Sequence, residues 1–338
     1  MFTDRPLAAL RDFQADIIEP DDFDSFWRST LALTREGGAV HSKVVETGLH
    51  MVRVHDVQYP GFGGEPIAAW LITPASAESS VPLPVVIEYP GYGSGRGRPI
   101  EHLWIASAGW AHLIVDARGQ GAGRLARTGS TPDPHGSGAT YPGVTTRGIE
   151  SPDSYYYRRL IADAALAVDA VRALPTLDPD RIAVFGGSQG GALATAAAAL
   201  RPQVRAAVAL VPFLTDILRA TTITNEAPYV EIARYLSTQH DRLADVERTL
   251  SYVDGIHFSR RLRTRIHRSV GLMDAICPPS TVFAAHNASG GETSIDVWPY
   301  NGHEGGGVTD RERALDILRP VLGQSGRKTP AQPAPRPT

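Results

Sequence analysis

The chain has 338 residues and a net charge of −3, with 20% charged and 42% hydrophobic residues, the balance of a folded globular protein rather than a disordered or fibrous one. A slightly acidic chain has no general electrostatic pull on nucleic acid or an anionic membrane, and no run approaches the roughly 18 apolar residues of a membrane span. Its single cysteine, Cys277, excludes an intramolecular disulfide and offers no thiolate cluster for a metal.

The first twenty residues, MFTDRPLAALRDFQADIIEP, carry acids early and no apolar h-region. A secretory signal is therefore not expected, and a reducing, cytoplasmic setting is. Val44–Tyr59 and Ile67–Thr73 read as strands about the turn PGFGG. LPVVIEY (83–89) is a third strand, ending in the glycine-rich PGYGSGRG, and Pro99–Ala108 reads as a helix. HLIVDA (112–117) is a continuous apolar strand of the kind covered on both faces. From Gly119 to Ser151 the chain is rich in Gly, Thr and Pro, too long for an idle connector.

Tyr155–Leu174 repeats apolar residues at helical spacing. A strand over Arg181–Phe185, a helix over Ala192–Leu200 and a strand in VRAAVALVPF follow. Residues 214–263 read as a helical cap inserted in the alternation. IHRSVGLMD (266–274), a helix from Pro278, TSIDVWPY (293–300) and a helix over Thr309–Leu322 complete it. Strands alternating with helices imply an α/β fold, a mainly parallel sheet with helices on both faces. Residues 1–322 make one domain, and the Pro-rich 323–338 is expected to be disordered.

Between strand and helix stands Gly-Gly-Ser-Gln-Gly-Gly, with Ser188 among glycines 186, 187, 190 and 191. A serine on a sharp strand-to-helix turn exposes its hydroxyl above the sheet, and glycines relieve the crowding. That is a nucleophile elbow, the signature of α/β-hydrolases. A serine needs a base, and the base needs an orienting carboxylate, in the chain order Ser, acid, His. Of the downstream histidines 240, 257, 267, 286 and 303, only His303 sits in a loop directly after the last strand, in YNGHEGGG. Asp274 ends a strand one unit earlier; Asp254 reads as a helix N-cap, Asp296 lies inside a strand, and Glu304 adjoins the base itself. The oxyanion donors are the backbone N–H groups of Gln189 and of Tyr92 in the loop after the third strand.

With these residues located, the chain resembles the acetyl xylan esterase and cephalosporin C deacetylase family of carbohydrate esterases. The resemblance rests on Arg118-Gly119-Gln120, Gly186-Gly187-Ser188-Gln189-Gly190 and His303-Glu304, with EPDDFDSFW, TRGIESPDSYYYRR and GLMDAICPPSTVFAA as further matching segments. It implies an α/β-hydrolase fold, a Ser188–Asp274–His303 triad, oxyanion amides at Tyr92 and Gln189, and structural roles for Arg118 and Gln120. It further implies deacetylation of xylo-oligosaccharides and cephalosporin C, no cofactor, and a homo-oligomer, a hexamer, with contacts in the 119–151 loop. A prolyl-oligopeptidase-like peptidase shares the elbow, but about 80 residues before the first oxyanion loop are too few for propeller blades of roughly 40 residues. A binding protein on the same fold has no need of nucleophile, acid, base and donor loop together.

Overall fold

The computed structural model describes residues 4–34, 38–78, 80–123, 127–136, 138–139 and 142–323. The Pro-rich tail, Gly323 apart, lies outside the described residues. Two helices, α1 (Leu7–Arg11) and α2 (Phe23–Ala32), precede the first strand. Helix α2 buries Phe23, Trp27 and Thr30 along one stripe, and the Trp27 indole N–H donates to the Tyr252 carbonyl at 3.0 Å.

Strands β1 (His41–Val45) and β2 (Val52–Pro60) form an antiparallel hairpin. The sequence predicts one strand over Val44–Tyr59; the chain instead turns after Val45, where the Thr47 hydroxyl accepts from Leu49 N at 3.3 Å. Four of the five β1 residues are exposed at the sheet edge, so no buried face imposes the alternation that marks a strand in sequence. Next come β3 (Pro66–Pro74) and β4 (Leu83–Tyr89). The helix expected over 99–108 is a 3-10 turn, Pro99–His102, followed by α3 (Leu103–Ser107) and then β5 (Ala111–Val115).

The remaining order is α4 (Tyr156–Val171), β6 (Leu177–Gly187), α5 (Gln189–Leu200) and β7 (Val204–Leu210). Four helices occupy the stretch read as a cap: α6 (Ile217–Ile223), α7 (Tyr229–Leu236), α8 (Leu243–Ser251) and α9 (Gly255–Arg261). Strand β8 (Arg265–Gly271), α10 (Pro279–Asn287), β9 (Thr293–Trp298) and α11 (Val308–Leu322) complete the described residues.

The strands lie in the order β1-β2-β3-β5-β4-β6-β7-β8-β9. Every pairing from β5 to β9 is parallel, and β3 runs antiparallel to both neighbours. All seven residues of β4 are buried because helices cover both faces. Val85 and Ile87 pack with α4 and α5, whereas Val86 packs with Ile105 of α3 and Leu318 of α11. The carboxyl ends of the parallel strands therefore share one rim, and the loops leaving it carry the residues singled out above. Among the described residues no helix is long and apolar enough to cross a membrane.

Candidate active site

Ser188 stands between β6 and α5 at φ 56°, ψ −121°, a conformation side chains rarely adopt. Its N–H donates to Leu210 O at 2.8 Å, and its carbonyl accepts from Ala192 N and Phe213 N, both at 3.1 Å. The elbow is thus tied to the end of β7. A side chain at Gly186 would collide with the Gly190 backbone, and one at Gly190 with the Tyr89 carbonyl; at Gly191 it would meet Leu210 O at 3.2 Å. At Gly187 the nearest atoms lie 3.9 and 4.0 Å away. Three of the four glycines relieve crowding and Gly187 does not. Helix α5 begins at Gln189 rather than Ala192, so Gly190 and Gly191 are helical in spite of their propensity, because these close approaches override it.

Asp274 lies three residues beyond β8 rather than at its end, in a turn held against the His303 loop by Met273 N donating to Asn301 O at 3.0 Å. Fully buried, its Oδ1 accepts from Ile276 N at 2.8 Å and Cys277 N at 2.9 Å, and its Oδ2 faces His303 Nδ1 at 2.9 Å. A carboxylate on Nδ1 fixes the tautomer that leaves Nε2 as acceptor. The glycines after His303 pin its loop rather than loosen it: Gly306 lies under the Trp298 ring, and its N–H donates to Asp310 at 2.8 Å. Asp310 also accepts from Ser269 Oγ at 2.8 Å and Trp298 Nε1 at 3.1 Å.

Cys277 joins the two halves. Its thiol is buried and comes within 4.8 Å of ligand atoms on both Asp274 and His303. Burial, reinforced by Asp274, pushes this thiol well above its usual range, so it stays a neutral neighbour. The structure therefore brings Asp274 and His303 into direct contact; among the described residues Ser188 and His303 form no hydrogen bond.

The loop carrying Tyr92 is clamped on both sides. Gly93 N donates to Gln120 Oε1 at 2.6 Å, and Gln189 Nε2 donates to the carbonyls of Pro90 and Gly91 at 3.3 and 3.4 Å. The two glutamines meet at 3.0 Å, and the Tyr157 hydroxyl donates to Gln189 Oε1 at 3.1 Å. As the first residue of α5, Gln189 has a backbone N–H with no acceptor inside its helix. The Tyr92 hydroxyl donates to Glu231 of α7, which also accepts from Thr145 Oγ1 at 2.5 Å. Arg118 is fully buried and paired with Asp163 at 2.6 and 2.8 Å and with Glu65, and its carbonyl accepts from Tyr156 at 2.6 Å. Arg118 fixes the turn, and Gln120 on that turn fixes the loop.

The alternatives lie elsewhere. Asp296 pairs with Arg313 at 3.2 Å, Glu304 accepts from Asn301 Nδ2 and Gly302 N, both at 3.1 Å, and Asp254 caps α9 through Ile256 N at 2.9 Å. His240 bonds the Ser237 carbonyl, His257 pairs with Glu19, His267 bonds Ser294, and His286 bonds Thr293. Cys277, Tyr157 and Glu231 are the residues that sequence reasoning missed. Only Cys277 carried a signal, its closeness to Asp274 in DAIC.

The sequence model of the family described as acetyl xylan esterase (AXE1) matches residues 1–319. The chain belongs to the acetyl xylan esterase family. An acetyl xylan esterase from Paenibacillus sp. R4 is 36% identical with a TM-score of 0.88, over 94% of this chain and 100% of that one. Acetyl xylan esterase 1 from Thermoanaerobacterium sp. JW/SL YS485 is 32% identical with a TM-score of 0.85, over 95% of this chain and 100% of that one. Acetyl esterase Axe7A of Xylanibacter ruminicola is 27% identical over 84% of this chain, which spans 63% of that protein's length. The sheet order and the strand–elbow–helix unit are those of the α/β-hydrolase fold.

Proposed function

We propose that this member of the acetyl xylan esterase family is a serine esterase that removes acetyl groups from short acetylated xylo-oligosaccharides and small esters such as cephalosporin C. The observation that carries the reading is His303 Nδ1 on buried Asp274 at 2.9 Å, in loops at the same sheet rim as the strained turn that carries Ser188. Ser188 loses its proton to His303 Nε2 and attacks the acetyl carbonyl. The backbone N–H groups of Tyr92 and Gln189 receive the oxyanion. His303 then protonates the departing sugar alcohol, and water releases acetate from the acetyl-Ser188 intermediate by the same route. Hydrogen bonds such as Ser188–His303 are often completed only when substrate arrives.

The same proposal includes a cytoplasmic setting, one domain with a cap over 214–263, and a homo-oligomer, a hexamer by family resemblance. The 119–151 stretch also has work within its own chain. Gly121 N and Gly123 N both donate to Gly93 O at 3.1 Å, and Asp133 holds Arg159 at 2.8 Å. Acetate release from a panel of acetylated xylo-oligosaccharides, with cephalosporin C and a peptide anilide alongside, tests the substrate class. Turnover of the anilide without acetate release would overturn it. Sedimentation at micromolar concentration tests the assembly.

A further inference from the structure

On the sheet face opposite α4 and α5, Glu88 of β4, His102 of the 3-10 turn and His112 of β5 bring three ligand atoms within 4.8 Å of one another, all buried. His102 Nε2 lies 2.9 Å from the Arg96 carbonyl and His112 Nδ1 lies 3.1 Å from the His102 carbonyl. A carbonyl only accepts, so each ring spends a proton there. What remains in the neutral rings is a lone pair on His102 Nδ1 and one on His112 Nε2. Both face the Glu88 carboxylate, at 3.7 Å from Oε1 and 2.9 Å from Oε2.

Three acceptors turned on one another in a buried site require a cation. Arg127 supplies a charge from the outer side, donating to Glu88 Oε1 at 2.8 Å and reaching His102 Nδ1 at 3.5 Å. It leaves Glu88 Oε2 and His112 Nε2 buried with no hydrogen-bond partner, because their 2.9 Å contact is not aligned as a hydrogen bond. Ligands around a tetrahedral zinc, each about 2.0–2.2 Å from it, lie roughly 3.3–3.5 Å apart, and the two observed separations bracket that value. A ring nitrogen turned to the metal while the other donates to a carbonyl is the usual support of a histidine ligand.

We propose that Glu88, His102 and His112 form a binding site for a divalent transition-metal cation, zinc by the chemistry of two imidazoles and one carboxylate. The ion braces the fold: His102 grips the Arg96 carbonyl at the far end of the loop that begins with Tyr92. On metal uptake Arg127, which is 28% exposed, releases Oε1 and swings towards solvent.

The test titrates cobalt(II), as a spectroscopic stand-in for zinc, into full-length protein stripped with chelator and desalted. Thermal melts with and without zinc run in parallel. The expected result is one ion per chain, the visible absorption of tetrahedral cobalt without thiolate charge transfer, and a melting temperature raised by zinc. His102→Gln and His112→Asn keep the bonds to the carbonyls and remove only the ligand atoms, so they should fold and lose the uptake. Arg127→Met should bind at least tenfold more tightly, since a competing charge is gone. Absence of stoichiometric uptake by both wild type and Arg127→Met would overturn the site. So would uptake that survives both histidine variants, which would place the ion at Asp274, Cys277 and His303 instead.

Discussion

The Tyr92 hydroxyl donates to both carboxylate oxygens of Glu231, at 2.8 and 2.7 Å, and so fastens the proposed oxyanion loop to helix α7. The same hydroxyl accepts from Val144 N at 3.0 Å. One phenol therefore joins three segments.

Tyr92→Phe leaves the backbone N–H in place but removes one of two side-chain donors to Glu231, leaving Thr145 alone, a loss of about 1–3 kcal/mol for a buried acceptor. We expect kcat on 4-nitrophenyl acetate to fall about tenfold with KM little changed, because a donor that drifts costs the transition state most. An unaltered kcat in a folded variant would separate the loop's aim from this contact.

Ser188→Ala should lower kcat by roughly 10⁵–10⁶-fold while the melting temperature is preserved. A variant within tenfold of wild type would remove Ser188 as nucleophile.

Asp274→Asn should cost about 10³–10⁴-fold in kcat, because the amide offers His303 Nδ1 the wrong hydrogen-bonding pattern. Asp296→Asn and Glu304→Gln, whose partners are Arg313 and the Asn301–Gly302 turn, should cost at most about tenfold. Thermal melts on all three separate misorientation from unfolding. A collapse at Asp296 or Glu304 with Asp274→Asn active would reassign the acid.

Stability should depend on pH through Asp216, whose Oδ2 is buried without a hydrogen bond and whose backbone is left-handed at φ 46°. Burial pushes this carboxyl up to about 6, with Arg219 opposing and Asp4 reinforcing the rise. Its unfolded value is about 3.9. The folded chain therefore holds the proton more tightly between roughly pH 4 and 6, and stability falls as pH rises through that window and is level above it. Asp216→Asn, which tolerates the same backbone, should stabilise by about 1–3 kcal/mol at pH 8 and by nothing below about pH 4. Melting curves across pH decide this; a gain that is constant with pH would contradict it.

Gly190→Ala should fail to fold or lose most activity, since its Cβ would enter the Tyr89 carbonyl, whereas Gly187→Ala should stay within about 0.5 kcal/mol of wild type. Equal damage at both positions would mean that the elbow is crowded throughout.

The α/β alternation was legible because buried strands such as LPVVIEY and helices such as 156–171 declare themselves by local period. Ser188, Asp274 and His303 were legible as candidates because turn chemistry and chain order narrow the choice. The exposed edge strand β1 was not, having no buried face to pattern it. Glu231 stands 139 residues from the hydroxyl it accepts from, and no window of sequence spans that distance. Glu88, His102 and His112 escaped for a related reason: they sit on three elements at spacings no short motif records.

Asp310 of α11 holds the His303 loop through Gly306, Ser269 and Trp298, so the proposed base depends on the last helix described. A chain is made from its amino end at about 5–20 residues per second. The serine elbow and its clamp thus leave the ribosome while the imidazole still lacks its support. If Ser188 and His303 act as proposed, a nascent chain can begin to settle its sheet around a silent serine, and reactivity waits for the first turn of α11 to close behind the imidazole.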